Sequence, residues 1–555
     1  MSAKYSTSTL CAALIAGVAA LGCRGEKGDV ERALASFTPQ DLAAKIQILA
    51  ADSFEGRAPS SPGEEKTVNF LRSEFERMGL KPGNGESFFQ EVPLVSITAN
   101  RDMRLLIGGR GPAMTLRYGA DFVAFTSRVV EEASLDRSPL VFAGYGVVAP
   151  EAGWNDYEGL DARGKTVIVL VNDPDFQGGD TTLFKGRTMT YYGRWTYKYE
   201  EAARQGASGV LIVHETEPAG YPWEVVTGSW SGPRFGLVSE DRNLSRAAVE
   251  GWITAEAARR IFQRAGLDYD SLKAKASQRG FRPIPLNLEA SVRVRNTIEY
   301  SRSKNVVALL EGRDRPGEYV IYMAHWDHLG RDSSLSGDQI FNGAVDNASG
   351  TAGLLELAEA FAGLPRPPRR SVVFLAVTAE EQGLLGSAYY ARNPIFPLDR
   401  TVAAINLDGL NVDGRTRDIT VIGYGNSELD DYLAEAARTQ NRYLRPDPEP
   451  EKGFYYRSDH FELAKAGVPA LYTDAGIDNI EHGTEWALKR REEYTALRYH
   501  KPADEFDPSW DLRGAVEDLQ LLFLVGYRLA NEDRFPNWRE GTEFKARRDS
   551  MMSGR

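Results

Sequence analysis

From about Leu286 onward, short and almost continuously apolar runs alternate with helix-length stretches, and this alternation narrows the fold more than any other feature of the chain. The runs Asn305–Leu310, Tyr319–Ala324, Val372–Val377, Val402–Leu407 and Pro469–Tyr472 lack the polar alternation of strands with one wet face. Among them lie helix-like stretches at Gly350–Ala362, Glu428–Thr439, His460–Ala466 and Leu512–Ala530. The pattern predicts an α/β fold, a mostly parallel central sheet flanked by helices. Ahead of it, Arg117–Pro285 has a different texture, with β-branched and aromatic runs broken by Gly, Pro and Asp. Strands are expected at Pro139–Val148, Thr166–Val171 and Gly209–Val213, with a helix at Lys198–Gln205, as in a β-rich module inserted between two parts of another domain. The first part opens with a helix whose Leu42, Ile46 and Leu49 share a face, capped by Thr38. A second helix, Gly63–Met78, aligns Val68, Leu71 and Phe75, and the turn-rich loop Asp52–Gly63 joins the two.

The carboxyl ends of strands in an open α/β sheet face the ligand crevice, so the residues there are informative. Tyr319–Ala324 runs into His325-Trp326-Asp327-His328, and Val372–Val377 into Thr378-Ala379-Glu380-Glu381. Val402–Leu407 runs into Asp408. A glycine-bounded loop, Asn342 to Gly350, carries Asp346, and His500 and Asp504 sit in a loop before the last helix. Two zinc ions sharing one carboxylate need about two further N/O ligands each and an open position for water, which five side chains supply. Extended backbone points His325 and Asp327 to the same face, so Asp327 can take the second proton of the imidazole, whereas Glu380 and Glu381 point to opposite faces.

Each residue alone has a plainer explanation. Asp408 could cap a helix, Glu380-Glu381 could be solvated charge, and His500 could be a surface residue. The joint pattern is what discriminates, because the chain has only 6 His and two of them fall at these points.

The order H-x-D, G-A-x-D-N-A-S-G, E-E, N-L-D and Y-H-x-x-x-D resembles the co-catalytic zinc aminopeptidases, metallopeptidase family twenty-eight. The inserted segment looks like a protease-associated domain, through Gly144-Tyr-Gly146, Gly164-Lys-Thr-Val-Ile and Ala203 to His214. The resemblance implies that His325 and Asp408 hold one zinc, Glu381 and His500 the other, and Asp346 bridges. It makes Glu380 the general base and Asp327 the residue orienting His325, with manganese or cobalt as substitute metals. It also implies a cis peptide at Asp346-Asn347, and a substrate pocket drawing on Tyr455, Tyr456, Asp459 and His460. His328, His460 and His482 are not ligands in this pattern. The implied activity is removal of N-terminal residues from peptides. Carboxypeptidases of the same family, acylase-like zinc dipeptidases and receptor-like relatives without zinc are the alternatives. The acylase-like enzymes place their extra domain after the E-E pair, whereas here the insertion comes before the first ligand.

Composition adds exclusions. A net charge of −12 without a Lys/Arg-rich run gives no footprint for nucleic acid. Both cysteines, Cys11 and Cys23, precede residue 24, so the body has no thiol chemistry. The segment with Lys4, apolar Leu10–Leu21 and Gly22-Cys23 resembles a bacterial lipoprotein signal, implying export and membrane attachment only through a lipid on Cys23. The expected organisation is a signal peptide at 1–22, a linker at 23–37 and a catalytic first part at 38–116. The protease-associated insertion follows at 117–285, then the catalytic second part at 286–534 and a charged tail at 535–555, expected to fray from Glu540. The oligomeric state is not legible.

Overall fold

The computed structural model describes residues 27–176, 183–230 and 232–554. The expected signal peptide and Cys23 lie outside the described residues. Two sheets are joined by one long strand, Ile284–Leu310, whose first half pairs in one sheet and second half in the other. The first sheet has a parallel centre, in spatial order Ala470–Asp474, Thr401–Asn406, Arg315–His325 and Arg370–Val377. Antiparallel strands flank it: Asp418–Ile422 on one side, and Ile284–Leu310 followed by Phe89–Ala99 on the other.

The central strands are apolar throughout because both faces are covered. Val320, Tyr322 and Ala324 face the helices Pro39–Leu49, Pro62–Arg77, Gly350–Ala362 and Arg513–Asn531. Ile321 and Met323, one residue out of phase, face His460–Lys465 and the aromatic residues Tyr455, Tyr456 and Phe544. The Gly350–Ala362 helix is buried almost all round, which fixes the loop at its start. Thr38 caps the first predicted helix by accepting from the Asp41 amide at 3.1 Å.

The second sheet runs Met114–Arg117, Arg104–Gly108, Ile284–Leu310, Glu132–Phe142, Thr166–Leu170, Gly209–His214, Val249–Thr254 and Phe122–Phe125. It therefore draws in strands from ahead of the expected start at 117 and continues past 285. Helices Ala255–Ala265 and Tyr269–Ala276 cover one face and Trp195–Arg204 the other.

Two expectations are corrected. Within the expected linker, residues 27–36 are helical, and Phe37 is buried edge-on against Phe523. The charged tail is folded, including the stretch from Glu540 expected to fray: Trp538 and Phe544 are buried, Lys545–Met552 is helical, and Arg548 donates to the Thr401 carbonyl at 3.1 Å. Two aromatic anchors and one arginine capping strand carbonyls outweigh the polarity of the other residues. Among the described residues no helix is long and apolar enough to cross a membrane.

Candidate metal centre

Three neighbouring parallel strands end at one edge of the first sheet. Arg315–His325 ends in His325, Arg370–Val377 leads to Glu380-Glu381, and Thr401–Asn406 leads to Asp408. The buried turn before helix Gly350–Ala362 brings in Asp346, and His500 follows helix Gly483–Leu497. His325 Nε2 lies 3.3 Å from Asp346 Oδ1, 3.2 Å from Asp408 Oδ1 and 4.0 Å from Glu380 Oε2. His500 Nε2 lies 3.2 Å from Asp346 Oδ2 and 3.0 Å from Glu381 Oε2. The two oxygens of Asp346 thus address different histidines, one in each half of the site.

The ligand segments are stitched to each other by buried polar groups. Asn347 Nδ2 donates to the carbonyls of Leu407 and His325, while its Oδ1 accepts from the amides of Gly350 and Gly409. The Asp346-Asn347 peptide is cis. Gly343, at φ +51°, is required here, since a Cβ would lie 2.2 Å from the Asp346 carbonyl oxygen and 2.5 Å from the His328 ring. Asp504 accepts from the Asp346 amide at 3.1 Å and from Val345. Ser458 donates to Asp408 Oδ2 at 2.5 Å while accepting from Asn406, so it orients a ligand carboxylate.

Two contributors were missed in the sequence. His328 is fully buried with Nδ1 2.6 Å from Glu381 Oε1, and it forms a possible metal-holding group with Asp346 and Glu381. Arg57, from the loop between the first two helices, is buried beneath the site. It donates to the carbonyls of Trp326 (2.9 Å), Leu49 (2.8 Å), Asn342 (2.6 Å) and Gly343 (3.0 Å), clamping the His325 segment to the Asp346 loop. The H-W-D-H run carried the signal for His328. A lone arginine in a turn-rich loop carried none.

Other expected roles need correction. The carboxylate of Asp327 does not hydrogen-bond His325: its nearest oxygen is 3.8 Å from Nδ1, and the Asp327 backbone carbonyl, at 3.1 Å, takes that place. The carboxylate instead accepts from the amides of Glu380 (3.1 Å) and Glu381 (3.4 Å), fixing the turn that presents both glutamates. Local backbone curvature after the strand overrides the extended-strand geometry on which the expectation rested. Of the four expected substrate contacts only Tyr456 lines the cleft; Tyr455, Asp459 and His460 are enclosed. Asp459 accepts from Ser387 at 2.6 Å. His460 is packed between the rings of Tyr455 and Tyr472, centroids 4.5 and 4.9 Å away.

Neither ring nitrogen of His460 has a hydrogen-bond partner of ordinary geometry, and burial pushes its pKa down to about 3. Below about pH 6.5 an unfolded chain protonates this histidine while the folded one refuses the proton, so its stabilising contribution is present above that pH and shrinks as pH falls towards 3. His460→Phe should remove this term. Denaturant titrations at pH 7 and pH 5 are expected to show the wild type losing about 2 kcal/mol more than the variant over that interval. Equal losses would contradict this reading.

The charge balance tests whether cations fit. Asp327, Asp346, Glu380, Glu381, Asp408, Asp459 and Asp504 crowd around three histidines and the Arg57 guanidinium. Burial raises Asp327 to about 8 and Asp459 to about 7, and burial reinforced by Glu381 and Asp408 raises Glu380 well above the carboxylate range. Burial pulls His500 down, but Glu381 and Asp346 outweigh it and hold it up to about 10. Protons are retained where buried negative charge has no other compensation, and the donors are all imidazole nitrogen or carboxylate oxygen. Such a set suits divalent ions, which replace those protons on binding.

The comparison with known families bears on the same stretch. The model described as Peptidase family M28 matches residues 305–524, which hold all five ligand-type residues. Residues 305–524 form a peptidase family M28 domain. Aminopeptidase NAALADL1 of Mus musculus is 39% identical over 137 residues, 23% of this chain and 17% of its own length. A probable zinc metalloprotease of Leptosphaeria maculans is 33% identical over 268 residues, 47% of this chain and 57% of its own. The chain therefore spans less than two thirds of either relative. Among solved structures, an aminopeptidase from Aneurinibacillus sp. strain AM-1 aligns at 19% identity and TM-score 0.49, covering 91% of this chain and 97% of that one.

Arg57 lies outside the M28 domain in sequence and beneath the candidate metal centre in space. Above the centre opens a cleft of about 610 Å³. The M28 domain contributes Glu380, Glu381, Tyr456, Arg457, Tyr499 and His500 to its lining. Arg194 and Trp195, at the start of a helix packed on the second sheet, line it too, as does Arg234, from a strand paired with Phe89–Ala99 in the first sheet.

Proposed function

We propose that the protein is a metal-dependent exopeptidase that removes N-terminal residues from peptides. The observation that carries this reading is the split of Asp346 between His325 and His500, beside a peptide-sized cleft lined by Glu380, Glu381 and His500. His325 and Asp408 would hold one zinc ion, Glu381 and His500 a second, with Asp346 shared. Manganese or cobalt could take their places. When bound, such a pair acidifies an attacking water and polarises the scissile carbonyl.

The remaining steps belong to the chain. Glu380, next to His325, takes the proton of the attacking water and returns it to the leaving amine. Asp327 holds Glu380 in place through its backbone amide, and Ser458 holds Asp408, whose carboxylate can meet the α-amine of the substrate. The exposed edge of His500 and the walls of the cleft leave room for a short peptide. The lipoprotein-like leader supports export and anchoring through Cys23.

The test is release of the reporter from aminoacyl-p-nitroanilides. Purified protein should cleave them, lose activity with a chelator and regain it with added zinc. Undiminished cleavage in the metal-stripped protein would overturn the proposal.

A further inference from the structure

Not every cation lining the cleft has an acidic partner. Arg246 is paired with Glu250 at 3.0 Å, and Lys465 with Glu462 at 2.7 Å. Arg194 and Arg457 are different. Among the described residues neither guanidinium has a hydrogen-bond or ion-pair partner: Arg194 only overlies the Trp195 ring at 5.5 Å, and Arg457 the Phe454 ring at 5.2 Å. Arg194 Nε is buried with no partner. Burial, with the nearby charge of Arg457, pushes the Arg194 guanidinium down to about 10, which still leaves it cationic at neutral pH. Two like charges brought together in a partly desolvated wall, without a carboxylate between them, cost free energy that a bound anion recovers.

Their position relative to the metal centre limits what that anion is. Arg457 acts electrostatically on Tyr499, and the Tyr499 ring stacks on that of His500 with centroids 3.9 Å apart. Arg457 follows Tyr456, which lines the same cleft, and Arg194 enters from the loop before helix Trp195–Arg204. The positive pair therefore sits in the same cavity as Glu380 and His500 rather than on a separate surface. Arg234, held over Phe125 and Trp230 at 4.3 and 4.4 Å, adds a third cation to that lining.

We propose that Arg194 and Arg457 form a subsite for a carboxylate of the peptide substrate, making the protein selective for short peptides with an acidic group close to the cut bond. This inference rests on the exopeptidase reading and names its substrate class. A free C-terminus and an acidic side chain present the same chemistry to two arginine forks, so the test separates them.

Steady-state kinetics with zinc-loaded full-length protein would compare Ala-Ala-NH2 with Ala-Ala, Ala-Glu-NH2 and Glu-Ala-NH2. At least one of the three carboxylate-bearing substrates is expected to exceed the neutral amide in kcat/KM by about tenfold or more, chiefly through KM. Which one does so identifies the source of the carboxylate. Arg194→Gln/Arg457→Gln should abolish that preference, and Arg457→Lys should keep part of it. Equal rates for all four substrates, or a preference that survives the double substitution, would overturn the inference. If none of the four is cut, the exopeptidase reading fails and calorimetric binding of succinate decides the subsite alone. Binding lost in the double variant upholds it, and equal or absent binding in the wild type overturns it.

Discussion

Glu380→Gln is expected to lower kcat by about 10²–10⁴-fold, the usual worth of a positioned general base, while leaving the divalent metal content near that of the wild type. The separation of effects follows from geometry. Glu380 Oε2 is 4.0 Å from His325 Nε2, farther than either Asp346 or Asp408, so the amide removes the proton acceptor and spares the closer donors. Its neighbour Glu381 is held between His328 and His500 and should behave in the opposite way, losing metal when truncated. Single-turnover kinetics together with metal analysis would distinguish the two. A Glu380→Gln variant with full kcat would remove the base from the mechanism.

The second large effect falls on stability. Arg57→Met leaves the carbonyls of Leu49, Trp326, Asn342 and Gly343 without their donor and takes a buried cation from beneath Asp504, Asp327, Asp346 and Glu381. Removing one partner of such a buried charged network costs about 3–5 kcal/mol. Arg57→Lys should recover only part of this, because an ammonium group cannot reach four carbonyls in a fixed fork. Chemical denaturation of the metal-free proteins measures the loss. A variant less than about 0.5 kcal/mol below wild type would show that the clamp is not structural.

The readable parts of the molecule were those whose pattern is local. Val320 to Ala324 are apolar because both faces of the strand are covered, so the parallel strands and the ligands at their ends could be placed from the sequence. Leu286, Leu288, Ala290, Val292 and Val294 alternate with polar residues, yet most of the long strand Ile284–Leu310 was overlooked although its period was present. Helix Gly483–Leu497, which delivers His500, has no buried residue and hence no apolar stripe to announce it.

The ligand types of the site were legible because His and carboxylates at strand ends are rare in combination. The residues that hold them were not. Asp327 works through the amides of Glu380 and Glu381, and Arg57 through carbonyls up to 286 positions away, relations that exist only after folding. His460 misled for a complementary reason. A histidine beside Ser458 and Asp459 suggests chemistry, but the helix it begins turns it into the aromatic core.

The most direct test of the account is the number of divalent ions the purified chain binds after dialysis at neutral pH, measured by elemental analysis with Asp346→Ala alongside. The account predicts two equivalents in the wild type and loss of both tight binding and hydrolysis in the variant. A wild-type chain that hydrolyses peptides while holding no divalent metal would contradict it.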